Sequence, residues 1–215
     1  MKPLLLLCAA LGAFAAEKVS TQIDNDQVRV LNVVVQPHEK TRLHQHKVNR
    51  VMIYLQVGTQ DFEYEGGRHA PLAFQAGDIK WSPADGMHTA EVTSSRPVNI
   101  IEVELKRPGA GASTGDALDP VKVDAKDYKV QFENDQVRVL RVRIGPHASS
   151  PMHHHTLNRV VVYLTDQNFR VTTADGKVQT SMHKAGDVSW GGPAQHTEQN
   201  LRGKPFEVAV VELKD

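Results

Sequence analysis

The segment NDQVRVL at residues 25–31 recurs unchanged at residues 134–140. The same offset of 109 pairs Pro37-His38 with Pro146-His147, Asn49-Arg50 with Asn158-Arg159, and Tyr54-Leu55 with Tyr163-Leu164. It also pairs Ala76-Gly77-Asp78 and Trp81 with Ala185-Gly186-Asp187 and Trp190. After one deletion the offset becomes 108, which pairs His88-Thr89 with His196-Thr197 and Glu104-Leu105-Lys106 with Glu212-Leu213-Lys214. A chain duplicated in tandem has to fold as two similar units. Between the copies lies RPGAGASTGDALDP, residues 107–120, a Gly/Ser/Pro-rich linker. The expected units are therefore residues 17–106 and 121–215, each near 100 residues and large enough to hold its own core.

Each unit is written in strands and turns. VRVLNVVV and VRVLRVRI are β-branched runs, as are NRVMIYL and NRVVVYL, while EGGR and ADGK are tight turns. VNIIEVELK and FEVAVVELK close the units, and no stretch carries a helical period of useful length. Short strands between Gly, Pro and Asp turns predict an all-β sandwich or barrel in each half.

Charge narrows the partners. The 25 basic and 25 acidic residues cancel, which argues against nucleic acid or an anionic membrane surface. The first sixteen residues, MKPLLLLCAALGAFAA, have the basic start, apolar middle and small-x-small end of a cleaved secretory signal. Leu7 stands where a lipoprotein would have a small residue before Cys8. Cleavage near Ala16 or Glu17 removes the single cysteine, so the expected product is periplasmic or secreted, free of disulfides and of membrane attachment.

The histidines carry the chemistry. Residues two apart on a strand face the same way. His44 and His46 therefore share a side, as do His153 and His155, whereas His154, whose counterpart is Gln45, faces out. A third histidine follows a sharp turn, in AGDIKWSPADGMH ending at His88 and AGDVSWGGPAQH ending at His196. Two imidazoles from one strand and one from a distant strand make the minimal site for a divalent metal, Zn, Fe, Mn or Ni, with positions left open.

At these residues both copies resemble the cupins, small jelly-roll barrels with a first motif Gly-x5-His-x-His-x3–4-Glu and a second Gly-x5-Pro-x-Gly-x2-His-x3-Asn. Gly77, Pro83, Gly86 and His88 fit the second motif in the first copy, and Gly186, His196 and Asn200 fit it in the second. The resemblance implies two tandem cupin-type jelly-roll β-barrels, a bicupin, with a monomer or weak homo-oligomer as the expected state. The first motif departs from the family pattern. His38 and His147 stand at its glycine, and Arg50 and Arg159 stand where its glutamate ligand falls.

An arginine beside a metal site is the puzzle of this sequence. A guanidinium ~6 Å from a divalent ion, at an effective dielectric of ~20, costs about 5 kcal/mol. Either the arginines turn away, or no metal binds, or an anion lies between them and the metal, a role the guanidinium fork suits. As structural ion pairs, Arg50 and Arg159 have Glu104 and Glu212, or Glu91 and Glu198, as available partners.

The other residues divide as follows. Tyr54 and Tyr163 are candidates to touch a ligand, although these tyrosines and Trp81 and Trp190 also suit core packing. His38 and His147 follow a proline in a turn and are expected to be exposed, Asp78 and Asp187 serve turns, and His69 and His183 receive no role. No Gly-x-Ser-x-Gly, P-loop or dinucleotide fingerprint is present. The expectation is an exported bicupin binding a divalent metal and a small, anionic molecule. Oxygenase, isomerase or decarboxylase chemistry stays open, its catalytic residues unassigned; the alternatives are a metal-free small-molecule binder or sensor, or a purely structural product.

Overall fold

The computed structural model describes residues 17–111 and 116–215; the first sixteen residues, on which the expected signal falls, lie outside the described residues. The first unit runs β1 Lys18–Asp24, β2 Val28–Val35, β3 Arg50–Tyr54, β4 Gly58–Tyr64, β5 His69–Phe74, β6 Ile79–Ser82, β7 His88–Val92 and β8 Val98–Leu105. A single helical turn, α1 Pro120–Val123, opens the second unit. It continues through β9 Tyr128–Glu133, β10 Val137–Ile144, β11 His153–His155, β12 Arg159–Tyr163 and β13 Gln167–Thr173. The last strands are β14 Val178–His183, β15 Val188–Gly191, β16 Ala194–Asn200 and β17 Phe206–Leu213.

Each unit is two antiparallel sheets facing one another. In the first, β1-β2-β8-β3-β6 faces β5-β4-β7; in the second, β9-β10-β17-β12-β15 faces β11-β16-β13-β14. The sequence reading missed α1. Asp119 caps it by accepting the Val121 N–H at 3.0 Å and also binds Arg138 at 2.7 Å, so the end of the Gly/Ser/Pro-rich segment is pinned to the second barrel.

The larger sheets are apolar on both faces, which explains why their strands read as continuous Val/Ile runs rather than clean alternation. On β2, Val33 and Val35 point into the first barrel, where they meet Met52, Tyr54, Phe74, Val92, Val98 and Ile100. Val28 and Val30 point the other way, joining Val51, Ile53, Ile101, Val103 and Leu105 in a cluster with Val137, Val139, Val160, Val162, Ala209, Val211 and Leu213. That cluster is a single core shared by both units. The duplication also makes the contact nearly two-fold: Asn49 donates to Gln136 at 2.5 Å, and Asn158 donates to Gln27 at 2.8 Å.

The turn before each histidine pair is strained as the family glycine position implies. His38 and His147 are exposed and hold φ of 61° and 55°, the left-handed region where a glycine costs least.

Because the core is shared, both barrels are expected to unfold in one transition. Ile101→Ala removes side-chain volume from the fully buried centre of that core, at an expected cost of about 2–5 kcal/mol. Scanning calorimetry checks this: a lower, still single transition is expected, and two separated transitions would contradict the shared core.

Candidate metal centres

Backbone pairing sets each triad. In the first unit His44 and His88 form an isolated bridge, with His44 N–H to His88 carbonyl at 3.0 Å and the return bond at 2.9 Å. In the second, β11 pairs with β16 and His153 lies opposite His196. The sequence suggested a strand for both histidine pairs; in the first unit the pairing stops at this single bridge. In each barrel the three predicted histidines, His44, His46, His88 and His153, His155, His196, bring ligand atoms within 4.8 Å of one another. His154 leaves its triad as expected and hydrogen-bonds Asp116.

The imidazoles are oriented by what their other nitrogens bind. His44 and His88 set Nδ1 against the Arg42 and Gly86 carbonyls at 2.7 and 2.9 Å. His153 sets Nδ1 against the Pro151 carbonyl at 3.0 Å, and His155 Nδ1 lies 2.7 Å from Glu212 Oε1. An Nδ1–H tied this way leaves Nε2 as a lone-pair donor. In the first triad the His44 and His46 Nε2 atoms converge to 3.0 Å. The donor chemistry fits a divalent cation of the imidazole-binding kind. Burial favours the neutral form of His46, His88, His153 and His155: desolvation, reinforced by Arg50 and the other imidazoles, lowers His46 to about 3. Desolvation and His196 lower His153 to about 4.

The arginines are answered by the row of charges on the central strand. Along that row Glu104 lies between Arg29 on β2 and Arg50 on β3. Arg29 claims Glu104 at 2.5 Å, so Arg50 turns one step along to Glu102 at 3.0 Å and gives its other arm to Ser82 at 2.9 Å. Burial raises the Glu102 carboxyl against the pull of Arg50. The partners expected from sequence, Glu104 and Glu91, are therefore replaced by Glu102. Glu102 and Glu104 also come within 4.8 Å of a His46 ligand atom, so His46 belongs to both groups.

The second barrel repeats the row but not the outcome. Glu212 lies between Arg138 and Arg159 and binds Arg138 at 2.6 Å. The position matching Glu102 is Val210, so Arg159, 8% exposed, makes no ion pair among the described residues. Its guanidinium lies over Gly191, where a Cβ would come within 3.0 Å, and donates to the Gly192 carbonyl. Desolvation lowers its pKa, opposed by the nearby Glu198 and Glu212 charges. Here the expected partners stand near but do not pair.

Surroundings separate the two triads. The first opens on a cavity of about 290 Å³ whose walls include His44, His46, His88, Arg50, Gln60 and Tyr54. Arg50 Nε and Gln60 Oε1 are buried there without a partner. Tyr54 lines this cavity and stacks on Phe74 at 4.0 Å. Tyr163 stacks on His183 at 3.9 Å and its hydroxyl lies 3.2 Å from that of Ser189. The second triad is buried, with His153, His155 and His196 at 0, 3 and 5% exposure. Tyr128 reaches it, its hydroxyl 3.3 Å from His153 Nε2 and 3.2 Å from Glu198 Oε2. Sequence reading missed Glu102 and Tyr128; the unequal pairs Glu102/Val210 and Val19/Tyr128 were the available signal.

Acid sensitivity follows from these shifts. A histidine whose folded pKa lies below its unfolded value of 6.5 stabilises the fold fully above pH 6.5. That contribution is lost as pH falls toward 4, at about 1.4 kcal/mol per pH unit for the fully buried His153. His46 acts in the same direction. Denaturant melts of chelator-treated protein are expected to lose stability steadily from pH 6.5 to 4, with a shallower loss in His153→Gln. A profile flat over that window would contradict the neutral burial of His46 and His153.

No family model matches the chain, and no curated protein matches it. Solved structures do. AerE from Microcystis aeruginosa aligns over 95% of this chain and 96% of its own, with a TM-score of 0.71 at 12% identity. The cupin 2 conserved barrel domain protein from Leptotrichia buccalis aligns over 93% and 90%, with a TM-score of 0.57 at 13% identity. Bacillus subtilis oxalate decarboxylase, solved in work on its Mn(II) centres, aligns over 92% of this chain and 75% of its own, with a TM-score of 0.60 at 14% identity. With the paired sheets of each half, these likenesses identify the fold: the chain is two cupin barrels in tandem.

Proposed function

We propose that this protein is a metal-binding bicupin whose first barrel receives a small polar molecule at an open three-histidine centre. The observation that carries the reading is the cavity over His44, His46 and His88, with Arg50 Nε and Gln60 Oε1 unpartnered in its walls. An unmet buried donor and acceptor are costly unless a ligand meets them. They call for a molecule with an acceptor group, such as a carboxylate oxygen, beside a donor such as a hydroxyl. At about 290 Å³ the cavity suits a compact metabolite.

A divalent ion held by three imidazoles would supply Lewis acidity or a dioxygen site. The chain's own residues do the rest. Arg50 Nε and Gln60 Oε1 orient the ligand, and Arg50 stays fixed by Glu102 and Ser82. Glu102, whose proton affinity burial has raised, is placed to hold a proton at the cavity wall. The Mn(II) centres of oxalate decarboxylase, on a related fold, support metal-dependent chemistry without naming the substrate. The leader-like first sixteen residues support export to the periplasm or beyond, and the shared core, which covers the outward face of each large sheet, supports a monomer.

Metal content measured before any chelating column tests the reading. About two equivalents are expected, falling by about one in His46→Ala and by about one in His155→Ala. Small carboxylates are expected to raise the melting temperature of the metal-loaded protein, and Gln60→Ala is expected to weaken that shift about tenfold in concentration. Ligand-dependent shifts without metal would favour the binder or sensor alternative, and neither effect would leave a structural protein.

A further inference from the structure

The second triad is not a plain copy of the first. Glu198 stands where the first unit has Ala90, two residues beyond the third histidine, and on the same side of its strand. Its Oε1 lies 3.5 Å from His196 Nε2. Neighbouring ligands bound to one ion at ~2.1 Å stand roughly 2.9–3.4 Å apart.

We propose that Glu198 is the fourth ligand of a divalent ion at His153, His155 and His196, delivering from β16 the carboxylate that Arg159 displaces from the first motif. The proposal rests on the metal reading above and adds a ligand to it. Tyr128 is the positioning residue: its hydroxyl holds Glu198 Oε2 at 3.2 Å and leaves Oε1 toward His196. The carboxylate is outside the group of ligand atoms that lie within 4.8 Å of one another, so binding draws it inward. Its side chain, 22% exposed, has room to turn.

Support extends outward in one direct chain. Glu212 binds His155 at 2.7 Å and Arg138 at 2.6 Å, and Arg138 binds Asp119 at 2.7 Å beside α1. Three imidazoles and a carboxylate leave a tetrahedral ion no open position, the pattern of structural centres. The first barrel, with Ala90 in that place, keeps a position for the small molecule. The two copies thus divide the work: the second metal holds the fold, and the first meets the ligand. Zn²⁺ is the ion whose preferred geometry this closed set fits best.

The test uses the full chain carrying His46→Ala, so that only the second triad is intact, titrated with Zn²⁺ against a competing chelator. Adding the near-isosteric Glu198→Gln is expected to weaken binding roughly a hundredfold, and Tyr128→Phe about tenfold. The absorption spectrum of the Co²⁺-loaded protein reports coordination independently and is expected to change with Glu198→Gln. Unchanged affinity and spectrum in Glu198→Gln would overturn the fourth-ligand assignment while leaving the three-histidine centre standing. Absence of Zn²⁺ binding in the His46→Ala parent, folded by circular dichroism, would overturn the metal reading of this barrel as well.

Discussion

A buried guanidinium beside three imidazoles is tolerable only where negative charge stands close by, and how each barrel supplies that charge decides its character. The family's glutamate would have served as both ligand and counter-charge. Here arginine occupies its place twice, so the two jobs are separated. The central strand of each large sheet carries the reply, with Glu104 between Arg29 and Arg50 and Glu212 between Arg138 and Arg159. One carboxylate stands between two arginines in each row, and in both barrels it pairs with the arginine on β2 or β10 rather than the one on β3 or β12.

From there the copies diverge for reasons of charge. The first barrel adds Glu102, which neutralises Arg50 and keeps it from repelling a cation at the triad. The second has Val210 at that place and Glu198 on the facing sheet, which moves negative charge nearer the imidazoles and leaves Arg159 on the Gly192 carbonyl. Taking two charges out of water is expensive, and breaking such a pair costs about 3–5 kcal/mol. Glu102 therefore cannot leave Arg50 without stranding a buried charge. The shared valine core, which joins the units, makes loss in one half a loss for both.

Much of this was legible in the sequence because it is local. The strand period, the histidine pair of each triad and the outward His154 rest on spacing within one strand, while the constant offset between the copies shows the duplication and matches the third histidines. The exposed His38 and His147 were legible for the same reason, since Pro-His reads as a turn. The ion pairs were not. Arg50 and Glu102 are 52 residues apart and meet only through the β3–β8 register. That Arg29 would take Glu104 first depends on a third strand. Tyr128 was hidden by the same distance, and Glu198 was read only as a partner for Arg159, yet the twin positions Val19 and Ala90 marked both, because an unequal pair inside an otherwise faithful repeat shows where the copies parted. The paired tyrosines Tyr54 and Tyr163 both stack in their barrels, with His183 in the second standing where Phe74 stands in the first.

The most direct measurement is anomalous X-ray scattering from crystals of protein loaded with a single divalent metal and never exposed to chelator. The account predicts one peak at each triad, about 2.0–2.2 Å from three imidazole nitrogens, with Glu198 as a fourth contact in the second barrel and solvent or ligand completing the first. Histidine rings joined to one another or to water, with no peak between them, would contradict it.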